Sequence, residues 1–408
     1  MRVSACICPG LHMGSLFDDD SDDYEDLDTT ADMAADDGEI SAPPEAEELT
    51  PRTNPDFFGH QDVEQALLRD VTSGRLPHAI ILAGPPGIGK ATFAYRLARF
   101  LFTQEMQEAG LFGEAPAPAN MFVSPANPVF RRVAASGHAD LLTVEREFDE
   151  KKGRYKNDIS VDSVRRIHPF LRKTAAEGGW RVVIVDGAEY LNGSSQNALL
   201  KVVEEPPARA VLILTTSQPG AFLPTIRSRC RMVHMDKLDD KTVGNLLDRM
   251  APALKPDEKA TLIRLADGSI GRAMQFHDDE GVALYKQLLD IVSTVPELDM
   301  VKVHDMAEKI GRIGTEQAYA TAMDILTGWC SRAARAAARG QPLTDVVAGD
   351  AAVFGRIAQN YPPNHFLSAW EKISELARQT DIYNLDRRQA VIGAFLALQR
   401  PDYQGLGL

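Results

Sequence analysis

The sequence predicts an α/β domain with a mostly parallel sheet flanked by helices, followed by an all-helical C-terminal part. Three observations carry this. Continuous apolar runs at His78–Ala83, Val182–Val185 and Val211–Leu214 have the character of strands buried on both faces. Segments of helical spacing alternate with them, the pattern of a layered α/β domain. After about residue 236 the strand signals stop, and from about 295 to 399 the pattern is helical throughout.

Taken in order, the elements are as follows. Residues 18–48 hold fifteen Asp and Glu and no Lys or Arg, so the segment reads as a solvated, disordered tail. Pro51-Arg-Thr-Asn-Pro55 is a breaker-rich linker. Gln61–Thr72 places Val63, Ala66, Leu67 and Val71 at helical spacing. The strand at His78–Ala83 runs into glycine and proline, and Thr92–Phe102 puts Phe93, Leu97 and Leu101 on one helix face. Residues 103–137, rich in Ala, Pro, Gly and Asn, read as an irregular insertion. Leu141–Val144 predicts a strand, Lys151–Lys156 a basic stretch, and Val161–His168 the start of a helix. Lys241–Met250 and Asp257–Ala266 predict two helices, closed by Gly268-Ser-Ile-Gly271. Phe366, Trp370, Ile373 and Leu376-Ala377 are expected to share one helical face. No internal repeat is visible.

At 408 residues the chain has room for two or three domains. No apolar run approaches membrane-spanning length, and the first nine residues are too short in their apolar part for a secretory signal. Four cysteines argue against a disulfide scaffold and fit a reducing cytoplasm. Cys6-x-Cys8 lacks a second pair, so no metal site is expected there. The formal charge of −14 comes from the acidic tail, and the remainder is close to neutral.

Gly84-Pro-Pro-Gly-Ile-Gly-Lys-Ala-Thr92 has the G-x-x-x-x-G-K frame of a phosphate-binding P-loop, in the strand–loop–helix context such a loop needs. A chance glycine cluster would lack that context. Gly84, Gly87 and Gly89 let backbone N–H groups turn toward one anion, and Lys90 reaches the outer phosphates. Thr92 follows the loop, but on a helix it points about 100° away from position 91. Position 91, where Ser or Thr holds magnesium, is Ala91. Arg181–Asp186 reads as the strand that presents a second acid, Asp186, with Gly187 after it where an acid would orient the attacking water. The site is therefore expected to shape itself around a phosphate but to cleave one very slowly: no cofactor is required, ATP or ADP has room to bind, and the Mg²⁺ site is defective. Glu189, three residues on, is either a partial substitute or a capping acid. Thr215-Thr216 end a strand where Thr216 can face the γ-phosphate, or serve only as ordinary strand-end residues. Arg229, in Ser228-Arg-Cys230, is either salt-bridged or exposed toward a neighbouring subunit's nucleotide. Arg165, Arg166, Arg172 and Lys173 join the basic stretch, which fits a solvated face as well as nucleic-acid phosphates.

Together these segments resemble the delta-prime subunits of the bacterial DNA polymerase III clamp loader. The resemblance rests on Leu76-Pro-His-Ala79, the Gly84–Thr92 loop, Ile159-Ser-Val-Asp162, Arg181–Asp186, Asn197-Ala-Leu-Leu-Lys-Val-Val-Glu-Glu-Pro-Pro207, Thr225-Ile-Arg-Ser-Arg-Cys230, Gly268-Ser-Ile-Gly-Arg-Ala273 and Tyr383–Gln389. It implies an AAA+ core over 51–235 after the 1–50 tail, a small helical lid over 236–290 and a helical collar over 291–408 that holds the subunits together. It further implies a cytoplasmic hetero-pentamer with tau/gamma and delta, a sliding clamp and primed DNA as partners, and Arg229 as a trans arginine finger within the DNA polymerase III holoenzyme. Family members often carry a four-cysteine zinc module; this chain has no Cys between Cys8 and Cys230, so zinc is not expected. Motor subunits place Arg where Gly271 stands, so Arg272 is not expected to contact a phosphate. The alternatives are an active AAA+ ATPase, either a tau/gamma-type motor or a branch-migration helicase, and a P-loop kinase. The kinase would not explain the Ser-Arg-Cys triplet or the helical C-terminal third.

Overall fold

The computed structural model describes residues 49–104, 118–149, 154–176, 179–312 and 314–400. The acidic run, Cys6, Cys8 and Lys151–Gly153 lie outside the described residues. The strands are β1 (Ala79–Ala83), β2 (Leu141–Val144), β3 (Phe148–Asp149), β4 (Arg154–Tyr155), β5 (Arg181–Val185), β6 (Ala210–Thr216) and β7 (Arg231–His234). Five form one parallel sheet in the order β2-β5-β6-β1-β7, and β3 pairs with β4 as a separate antiparallel ladder.

Around the sheet lie α1 (Gln61–Thr72), α2 (Lys90–Gln104), α3 (Pro128–Ala134), α4 (Val161–Arg165), α5 (Ile167–Arg172), α6 (Gly193–Glu204) and α7 (Pro224–Arg227). Every residue of β1, β5 and β6 is buried, as strands covered on both faces require. The two-residue alternation sends Ile80, Leu82, Val182, Ile184, Val211 and Ile213 to one face, against α1 and α2. Ile81, Ala83, Val183, Val185, Leu212 and Leu214 pack on the other face with α4, α5 and α6. Because β6 sits between β1 and β5, its C-terminal end lies between the glycine-rich loop after β1 and Asp186 after β5.

Beyond the sheet come α8 (Asp240–Met250), α9 (Pro256–Ala266), α10 (Ile270–Asp278), α11 (Gly281–Val292), α12 (Met300–Ile310), α13 (Glu316–Arg339), α14 (Asp350–Asn360), α15 (Asn364–Tyr383) and α16 (Arg387–Gln399). One buried cluster runs through them from Leu238 to Leu398. The expected lid–collar boundary at 290/291 falls inside α11.

Several local expectations need correcting. Residues 103–137 are not wholly irregular, since α3 forms there with Pro128 in its first turn and Asn127 accepting from the Val129 N–H. The helix begun at Val161 breaks after Arg165; Pro169 has no N–H to donate back to the Arg165 carbonyl. On α15 the buried stripe is Phe366, Ala369 and Ile373, while Trp370 is 38% exposed.

Candidate functional site

The glycine-rich loop joins β1 to α2 and is held from three sides. Gly84 donates its N–H to Thr216 O at 3.1 Å, and its α-carbon sits so close to Met235 O that a side chain there would collide with it. Gly87 and Gly89 take φ of 72° and 99°, left-handed values that glycine adopts without strain. Lys90 is 9% exposed and donates to Gly84 O (2.8 Å) and Pro85 O (2.6 Å). An ammonium has three donors, so one N–H remains for an anion. Burial lowers the Lys90 pKa from 10.5, opposed by the charges of Glu189 and then Asp186.

A cavity of about 340 Å³ opens beside this loop. Gly87, Gly89, Lys90, Thr92 and Asp186 line its polar part; Phe57, Phe58, Leu246, Met250, Ile270 and Met274 line its apolar part. The segment 52–58, a strap over the cavity, is tied to α2 by two arginines. Arg99 donates to Arg52 O (3.0 Å) and Asn54 O (2.8 Å), and Arg96 donates to Pro55 O (3.0 Å) while paired with buried Glu64 at 2.7 Å.

The second acid is restrained as well. Asp186 accepts from the Thr215 hydroxyl, which itself accepts the Gly187 N–H at 3.0 Å. Gly187 lies at φ 69°, with the Tyr190 ring 3.0 Å from where a β-carbon would stand. Glu189 Oε1 accepts from the Ser217 hydroxyl (2.6 Å) and N–H (3.3 Å); among the described residues, its buried Oε2 has no hydrogen-bond partner. With Ala91 lacking an oxygen and Asp186 bonded to Thr215, the donor set does not fit a tightly held magnesium ion. Thr216 is fully buried, and its hydroxyl accepts the Gln218 N–H at 3.0 Å.

Sequence reasoning missed the lid's part in this site. Ser269 Oγ donates to Pro86 O at 2.8 Å and the Gly271 N–H to Gly87 O at 2.9 Å. Arg272 turns the other way, bonding Asp324 of α13 through Nε (3.0 Å) and Nη2 (2.9 Å). Gly268-Ser-Ile-Gly271 was visible as a motif, but nothing local said that it reaches a loop 183 residues earlier.

Arg229 lies outside the cavity, exposed beyond α7. It donates from Nη1 to Thr225 O at 3.0 Å and pairs through Nη2 with Glu204 at 3.2 Å. Cys230 beside it is buried, its thiol pushed up to about 11 by desolvation. In the basic stretch, Lys156 pairs with Glu147, Arg165 with Asp162 and Arg172 with Glu205, all exposed.

Residues 59–239 match a family model described as DNA polymerase III, delta subunit. A DNA polymerase III subunit delta' from Pseudomonas aeruginosa is 36% identical over 225 residues, 54% of this chain and 61% of the relative. One from Escherichia coli is 32% identical over 224 residues, covering 55% and 59% respectively. A subunit tau from Salmonella typhimurium is 28% identical over 237 residues, 57% of this chain and 34% of that one. The matched segment thus spans about three-fifths of the delta' relatives.

Proposed function

Since residues 59–239 match the family model described as DNA polymerase III, delta subunit, we propose that this chain acts as a non-motor, delta-prime-type subunit of a replicative clamp loader. In this reading it joins tau/gamma and delta subunits in a cytoplasmic hetero-pentamer that places a sliding clamp on primed DNA. One observation carries the non-motor assignment: the phosphate loop keeps its glycines and Lys90, but the positions for the metal hydroxyl and the water-orienting acid are Ala91 and Gly187. Phosphoryl transfer depends on metal charge and a positioned nucleophile, so the site is suited to holding an adenine nucleotide without cleaving it.

Arg229 is the residue this chain would offer to ATP bound by an adjoining subunit. Its exposure and its anchorage on Thr225 O and Glu204 support that role, because a side chain already oriented loses less entropy on engaging a phosphate. The exposed Leu367, Trp370, Ile382 and Tyr383 of α15 support a further contact surface in the C-terminal helices.

The test is clamp- and DNA-stimulated ATP hydrolysis by the reconstituted loader carrying Arg229→Ala. A trans arginine is worth roughly 10³–10⁵ in rate, so a fall of that order with the complex still assembled is expected. An unchanged rate would reduce Arg229 to a structural pair with Glu204. The tau likeness favours one competing reading, an active AAA+ ATPase, which steady turnover by the isolated chain would establish.

A further inference from the structure

The lid does more than cover the cavity. At its edge α10 begins with Ser269 as N-cap, whose Oγ accepts the Arg272 N–H at 3.2 Å. The Gly271 N–H, an orphan donor of the first turn, is satisfied by Gly87 O rather than by water. Ser269 Oγ donates to Pro86 O. Two successive carbonyls of the phosphate loop are therefore bonded to the lid helix. The approach is close enough to need glycine on both sides: a β-carbon at Gly271 would stand 2.8 Å from Gly87 Cα, and one at Gly87 would collide with Ser269 Oγ.

A consequence follows from peptide geometry. In a trans peptide the C=O and the following N–H point in opposite directions. Holding Pro86 O and Gly87 O toward α10 turns the Gly87 and Ile88 N–H groups away from it. These are the groups that a nest for phosphate must align, and without the two bonds each peptide is free to flip its carbonyl toward the anion instead.

We propose that Ser269 and Gly271 are positioning residues of the phosphate loop, holding its carbonyls on the lid so that its N–H groups stay aimed at an anion. The inference rests on reading the loop as a phosphate site. By reciprocity, an anion in the loop favours the closed lid, and the Arg272–Asp324 pair passes that preference to α13. The glycine at 271, in place of a larger residue, is what allows the contact.

The test uses the full chain with Ser269→Ala, Ser269→Thr, Gly271→Ala and Lys90→Ala, read by amide hydrogen exchange at Gly87–Gly89 and by calorimetric titration with ADP. Ser269→Ala and Gly271→Ala are expected to speed loop exchange severalfold, and to weaken ADP about three- to tenfold, the worth of one hydrogen bond. Ser269→Thr keeps the hydroxyl and is expected to restore both. Gly271→Ala pushes the loop and α10 apart, since its β-carbon would stand 2.8 Å from Gly87 Cα, so the contrast between Ser269→Ala and Ser269→Thr decides the role of the hydroxyl. Loop exchange unchanged in both variants, or ADP affinity in both equal to that of a wild type that binds it, overturns the positioning role. Binding by wild type that Lys90→Ala abolishes supports the phosphate reading itself. If neither wild type nor Lys90→Ala binds ADP, that reading falls and the positioning role falls with it.

Discussion

Residue by residue, the site's losses are built into the backbone. Gly187 occupies a left-handed conformation against the Tyr190 ring, so a glutamate there costs about 1–2 kcal/mol in backbone strain before it orients anything. Ala91→Ser with Gly187→Glu is therefore expected to lower the melting temperature and to leave ATP turnover at background; steady turnover would show that only two side chains separate this chain from a motor. His60 supplies a pH test. Burial holds its pKa below 6.5, against the pull of Ile88 O, Asp62 and Asp236. The unfolded chain takes up that proton first, so stability falls as pH drops through 6.5 and levels off below the folded value. His60→Asn, compatible with φ 53°, is expected to flatten the melting profile between pH 7.5 and 5 in part. A share of the slope remains with His168, shifted the same way by burial. The turn made by the loop glycines and the placement of Lys90 at its end were legible in the sequence because the motif's spacing fixes the strand–loop–helix geometry. The environment of Glu189 was not, because it depends on Ser217 reaching it across the end of β6.

At the level of elements, what was legible followed apolar content. β1, β5 and β6 are continuous apolar runs and were found. β7 escaped because Arg231 and His234 at its ends are exposed and only its pairing with β1 makes it a strand. α3 escaped because an Ala- and Pro-rich neighbourhood hid a proper helix start at Asn127-Pro128. The strap at 52–58 shows how a segment without regular structure is fixed. Arg99, 2% exposed, spans the gap from α2 to Arg52 O and Asn54 O and lies over the Phe130 ring at 4.5 Å. Desolvation lowers its pKa to about 10, so it remains charged at neutral pH. Arg99→Met keeps much of the stem and loses both bonds, at an expected cost of about 2–3 kcal/mol. Denaturant unfolding gives that figure, and faster protease cleavage near residue 52 locates it; a loss of stability with the strap still protected would place the effect elsewhere.

Across the whole molecule, the helices after Leu238 share one buried apolar cluster. The lid helix α10 meets α13 through Arg272–Asp324 and through Gln275, which donates to Thr321 Oγ1 at 3.2 Å, while Thr321 donates to Asp279. Deeper in, Asp350 is fully buried and accepts from Tyr285 Oη, from Trp329 Nε1 at 3.1 Å and from the Val346 N–H at 3.1 Å. Arg332 completes the group by donating to Tyr285 Oη at 2.6 Å. These bonds tie α11, α13 and α14 into a single arrangement, although among the described residues the buried Nε of Arg332 has no hydrogen-bond partner. Helical periodicity announced these helices but not their partnership, which arises from residues 47 and 65 positions apart. Trp329 is the place to test it, being 2% exposed, edge-on to Phe366 and in the same buried cluster as Leu288 and Val292 of α11. Trp329→Ala is expected to cost about 3–5 kcal/mol and to raise hydrogen exchange in α10 and α11 together with α13. If exchange rises in α13 and α15 alone, the lid is a separate cooperative unit, and a nucleotide-driven lid movement need not reach the C-terminal helices. If it rises throughout, lid and C-terminal helices move as one piece, the mechanical property that the proposed non-motor role of this chain calls for.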